Sequence, residues 1–168
     1  MRSTGSTRPD GGVRVVVVGI GNVHRADDGV GRVVAERLRA VLPGDVPVRV
    51  LRGEVSALMD AWSGMDAALL IDAVRAGAPP GTVHRLDAST APLPAGLGST
   101  STHGLSLPEA IELARTLEVL PPRVVVLGVE GRRFEHGSGL SPEVAAAVER
   151  VVADARAEVA RLRAPVEA

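Results

Sequence analysis

The chain has 168 residues, 45% hydrophobic and 23% charged, with a formal net charge of −1, the profile of a single globular domain without the basic excess of a nucleic-acid binder. It contains no cysteine and no lysine, which excludes disulfides, thiolate metal sites, cysteine nucleophiles and lysine chemistry. Aromatic residues make up only 1%, so the core must be built from Val, Leu, Ile and Ala.

Residues 1–12, rich in Ser, Thr, Gly and Arg, lack the apolar centre of a signal peptide and read as a disordered lead-in. No apolar run approaches the roughly 18 residues of a membrane span, and the expectation is a cytoplasmic, monomeric protein with no membrane or nucleic-acid partner. A single domain is expected over 13–163, with 164–168 as a tail.

Val13–Val18 is a β-branched run, as expected of a strand covered on both faces. Gly29–Leu42 carries apolar residues at helical spacing and stops at Pro43-Gly44. Val46–Leu51 reads as a second strand, Val55–Trp62 as a short helix and Ala67–Ile71 as a third strand. Thr82–Asp87 reads as a fourth strand, reached in barely ten residues. A parallel crossover needs a dozen or more, so this strand is expected to run antiparallel to its neighbour. Residues 88–102 form a long polar loop. Ser106-Leu-Pro-Glu109 is a capping box opening a helix to about Leu117. Val124–Leu127 is a fifth strand, and Ser141-Pro142 starts a final amphipathic helix. The pattern predicts a three-layer α/β/α sandwich around a mostly parallel five-stranded sheet with one antiparallel strand.

Ligands of open α/β sheets collect beyond the carboxyl ends of the strands. The stretch "GIGNVHRADDGVG" follows the first strand there. It is no dinucleotide fingerprint, because His24 stands where the third glycine should fall. Asp27 and Asp28 also occupy the helix N-terminus that a phosphate would need. Adjacent helical side chains diverge by about 100°, so one acid can cap the helix while the other faces the crevice. Asp72 ends the third strand in "ALLIDAV", and His103 lies in "STSTHGLS" ahead of the capped helix. A carboxylate at the end of a buried strand is costly without a partner. Two carboxylates and an imidazole suit a first-row divalent metal, with histidine favouring nickel, zinc or iron. His24, His84 and His136 have no partner at metal-ligand spacing.

With "VVVVGIGN", "ADDGVG", "LLIDAV", "STHGLSLPE", "VVVLGVE" and "GLSPEV" in this order, residues 13–163 resemble the nickel–iron hydrogenase maturation endopeptidases. The resemblance implies a phosphorylase/hydrolase-like α/β/α fold and a carboxylate–carboxylate–histidine metal site. It matches the first acidic ligand to Asp28, leaving Asp27 as the cap, and matches the other two to Asp72 and His103. It further implies metal-dependent removal of a C-terminal peptide from the hydrogenase large-subunit precursor, with nickel supplied by that precursor. Other divalent metals would occupy the site in isolation. A non-hydrolytic checkpoint module gripping the same precursor is the alternative. The chain departs from the family at Arg52–Val55, where an Asp-Gly-Gly-Thr-like turn is usual, and this change offers Glu54 as an additional acid near the crevice. It also has Ala26 where glycine is frequent.

Overall fold

The computed structural model describes residues 11–94, 97 and 104–165. In chain order, β1 spans Val15–Ile20, α1 Val30–Val41, β2 Val48–Leu51, α2 Val55–Trp62 and β3 Ala67–Val74. They are followed by β4 Val83–Asp87, α3 Leu107–Thr116, β5 Arg123–Glu130 and α4 Pro142–Arg163. A single 3-10 turn, Ala26–Gly29, lies between β1 and α1. The strands form one sheet in the order β2-β1-β3-β5-β4. All pairings are parallel except β4 with β5, as the short connection requires.

Both faces of the central strands are covered, and the side-chain period of two divides the core. Val15 and Val17 of β1, with Leu69 and Ile71 of β3, pack against Val30, Val34 and Leu38 of α1 and Val144, Val148 and Val151 of α4. Val16, Val18, Ala68 and Leu70 face the other way, onto Leu58 and Trp62 of α2 and Ile111 of α3. Each fully buried Val or Leu contributes about 1.5–3 kcal/mol relative to exposure, so these two aliphatic layers replace the missing aromatic core.

The capping box forms as expected. The Glu109 N–H donates to Ser106 Oγ at 3.3 Å, and the Ser106 N–H donates back to Glu109 Oε2 at 2.7 Å. The strand bounds differ from the sequence expectation. β3 and β5 each run three residues further, to Val74 and Glu130, in an unbroken parallel ladder that pairs Asp72 with Gly128. Asp and Gly are poor strand formers, but pairing with a central neighbour overrides that preference. Asp72 therefore lies inside the ladder and not at its end. β1 begins two residues later than expected and continues through Gly19 to Ile20.

Candidate functional site

The β1–α1 turn is pressed onto the sheet by glycines. A Cβ on Gly31, the second residue of α1, would lie 2.3 Å from the Ile20 carbonyl oxygen and 2.4 Å from that of Ile71. At Gly21 the backbone has φ +149°, and a Cβ would lie 1.8 Å from the Asp28 carbonyl oxygen. Only a residue without a side chain allows this approach, which carries the 3-10 turn to the carboxyl ends of β1 and β3.

Asp28 lines the cleft at this edge and is only 8% exposed. Its Oδ2 accepts the Asn22 N–H at 3.0 Å. Asn22 is itself held in an Asx turn, its Oδ1 accepting the His24 N–H at 2.9 Å. Asp72 projects into the same cleft from β3, and its Oδ1 accepts the Ala73 N–H at 2.9 Å. Burial, followed by the charge of Asp28, pushes the Asp72 carboxyl well above the usual carboxylate range, against the opposing hydrogen bond from Ala73. The walls come from Leu58 of α2, Leu107 and Ala110 of α3, and Leu105 ahead of α3. Two carboxylates in one largely buried recess form an arrangement of the kind that can hold a cation.

The fold thus brings together two of the three sequence-derived site residues. His103 lies outside the described residues; the chain resumes at Gly104, and Leu105 is the nearest described wall of the cleft after it. Among the described residues, no group of three or more His, Asp or Glu side chains is placed to hold a metal.

The assignment of Asp27 as a helix cap is overturned. α1 starts after the 3-10 turn, with Gly29 at its N-cap and no side-chain capping bond. Asp27 is instead fully buried and turned away from the cleft. Its Oδ2 accepts the N–H groups of Arg132 and Arg133 at 2.8 and 2.9 Å and the Ser141 hydroxyl at 2.8 Å. Its Oδ1 accepts the Ser141 N–H at 2.6 Å. Burial opposes its charge, but the backbone donors of Arg133, Ser141 and Arg132 and the Ser141 hydroxyl outweigh that and hold its pKa below the ordinary range.

Three further residues complete the picture. Arg52 and Gly53 line the cleft, so the Arg52–Val55 departure does alter the site. Glu54 stands exposed at the N-cap of α2 and is not part of the cleft wall. His84 finds a partner across β4 and β5 that its spacing did not disclose. Its Nε2 lies 3.1 Å from Glu130 Oε2, while Glu130 also accepts the N–H groups of Ala76, Gly77 and Ala78. This cluster closes the β3–β4 connection and is structural.

Comparison with known proteins gives a consistent set. Residues 53–158 match the family model described as hydrogenase maturation protease. The hydrogenase expression/formation protein HupD of Rhodobacter capsulatus is 30% identical over 149 residues, which cover 87% of this chain and 71% of that protein. The solution structure of an endopeptidase from Escherichia coli superimposes with a TM-score of 0.75 at 26% identity, covering 89% of this chain and 93% of the other. The crystal structure of a [NiFe] hydrogenase maturation protease, HycI from Thermococcus kodakarensis KOD1, gives 0.64 at 27% identity, covering 90% and 93%.

Proposed function

Because the chain belongs to the hydrogenase maturation protease family, we propose that it removes a C-terminal peptide from a nickel–iron hydrogenase large-subunit precursor once nickel has been installed. As a maturation endopeptidase it must bring a peptide bond of a folded partner to the carboxyl edge of its sheet. The observation that carries the finer reading is the pair Asp28 and Asp72 in one cleft, with the Asp72 carboxyl pushed up by burial and by its neighbour's charge. A divalent cation relieves both penalties at once.

In this reading Asp28, Asp72 and His103 contact the nickel carried by the precursor. Two carboxylates and an imidazole leave coordination positions open and suit that ion. A metal so held supplies a Lewis acid beside the scissile carbonyl. The chain's own residues do the positioning. The Asn22 N–H holds Asp28 Oδ2 at 3.0 Å and with it the direction of the carboxylate. Asp72, held above the ordinary carboxylate range by burial and by the charge of Asp28, would hold the ion from the strand in place of a proton. The apolar walls from Leu58, Leu105 and Leu107 limit the water around the bond. A precursor without nickel lacks the contact that orients it, which gives a physical basis for processing only the loaded subunit. Family membership favours this hydrolytic reading over a non-hydrolytic checkpoint.

The test is a processing assay with purified nickel-loaded precursor, read by mass spectrometry of the large subunit. Asp28→Asn, Asp72→Asn and His103→Ala are expected to fold and to leave the C-terminal tail attached. Full processing by any one of them removes that residue from the mechanism, and an intact tail with the wild-type protein removes the activity itself.

A further inference from the structure

The two adjacent acids of the β1–α1 turn point in different directions, and the reason is visible in the loop between β5 and α4. That loop and the turn are interlocked. The Ala26 N–H donates to the Gly137 carbonyl at 2.9 Å, and the Gly137 N–H donates back to the His24 carbonyl at 3.0 Å. The Asp27 N–H donates to the Arg133 carbonyl at 3.0 Å, and Arg25 Nε to that of Phe134 at 3.2 Å. At the centre of this seam the Asp27 carboxylate, fully buried, accepts from Arg132, Arg133 and twice from Ser141. Its charge is met by neutral donors, with no ion pair to it among the described residues. A buried carboxylate is normally expensive, and four donors within 2.9 Å are what make this one stable.

The turn is a 3-10 helix, so successive side chains are about 120° apart. Once Asp27 is fixed against the loop, the direction of Asp28 follows. It is aimed at the cleft, where its Oδ2 meets the Asn22 N–H.

We infer that Asp27 is a positioning residue: by binding the β5–α4 loop through Ser141, Arg132 and Arg133, it sets the orientation from which Asp28 contacts the cation of the precursor. The inference rests on the proposed role of Asp28, and its consequence is that a loop remote in sequence controls the geometry of the site. Substitution of Asp27 should therefore weaken the metal contact and lower kcat/KM for the nickel-loaded precursor.

The test compares wild type, Asp27→Asn and Ser141→Ala, with the Asn22 backbone amide as the reporter in NMR spectra of the metal-free protein. Asparagine keeps the shape but turns an N–H₂ group toward donors, so the seam loses acceptors. The Asn22 amide is expected to move upfield and exchange faster in Asp27→Asn as Asp28 leaves it. Nickel(II), added alone and followed by calorimetry, should bind at least ~10-fold more weakly than to wild type. A folded Asp27→Asn protein with wild-type Asn22 shift and wild-type nickel affinity overturns the inference. If Asp27→Asn does not fold, Ser141→Ala decides: it removes one donor of four, and both readouts must move in the same direction by a smaller amount, about 2–3-fold in affinity. Unchanged values in that variant are then the refutation. The amide readout needs neither metal nor precursor, so a failure of the proteolytic reading leaves it standing and is recognised separately by an uncut precursor.

Discussion

Asp28 and Asp72 reach one cleft from neighbouring parallel strands, with Asp28 beyond the end of β1 and Asp72 inside β3, and burial together with the charge of Asp28 raises the pKa of Asp72. The site is therefore built at a cost to the protein alone. The native state favours a proton on Asp72 that the unfolded chain releases at about pH 3.9. This contribution to stability is complete below the unfolded pKa and is lost as pH rises through the raised folded value. At neutral pH, Asp72→Asn should thus be more stable than the wild type by on the order of 1 kcal/mol, roughly 2–4 °C in Tm for a chain of this size. The advantage should shrink as the pH is lowered toward 4. Thermal melts at several pH values check it, and a variant equal to wild type at neutral pH contradicts the penalty of burial and repulsion on the Asp72 charge.

The same pair predicts a proton linked to metal binding. Nickel bound between the two carboxylates would displace a proton from Asp72 wherever that carboxyl is protonated, so affinity should rise with pH across the range in which Asp72 titrates. Calorimetry in buffers of different ionisation enthalpy should reveal a proton released by the wild type and none by Asp72→Asn, which should also bind more weakly. Equal proton release from both proteins would assign the proton elsewhere.

How much of this is readable in the sequence depends on the range of the interaction. The valine run of β1, the stripe of α4 and the Ser106–Glu109 box are local patterns, and each forms the expected element, with β1 displaced by two residues. Asp28 and Asp72 are legible because strand ends in an α/β sheet share one edge. Asp27 is not, because three of its four donors are backbone N–H groups, which every residue but proline carries, and they lie 105 to 114 residues away. A backbone donor leaves no mark in the sequence, so the local pattern at Asp27 reads as a helix cap. The extension of β3 through Asp72 was hidden for a related reason, since it depends on the partner strand β5. Ala26, at φ +50°, is where the family's frequent glycine would be at ease.

The Asp27 seam should also govern acid stability. Its folded pKa lies below the unfolded value, so its contribution is present above the unfolded pKa and is lost as pH falls through the depressed folded one. Replacing Asp27 with Asn should cost about 1.5–3 kcal/mol at neutral pH, typical of a hydrogen bond to a charged group lost from the interior. The difference from wild type should narrow as the pH falls from the unfolded pKa through the depressed folded one and the wild-type carboxyl takes up its proton. Urea unfolding at neutral and acidic pH measures both values. A constant gap across that range would mean that the charge of Asp27 is not what holds the loop.

The glycine contact beneath the site gives the last prediction. At Gly31 an added methyl would meet the carbonyl oxygens of Ile20 and Ile71 at 2.3 and 2.4 Å, distances that backbone atoms of two paired strands cannot easily relieve. Gly31→Ala would gain about 1 kcal/mol of helix propensity at an exposed site. Here overpacking should win, costing roughly 1–3 kcal/mol or more, and α1 should be lifted from the sheet. Because the 3-10 turn rides on the start of α1, that displacement should also separate Asp28 from the Asn22 N–H, now 3.0 Å away, and weaken metal binding. Val41→Ala, 43% exposed at the far end of the same helix, serves as the control and should leave both properties near wild type. A Gly31→Ala protein with wild-type stability and nickel affinity would show that the helix can shift without moving the turn, and the glycine would then be incidental to the site.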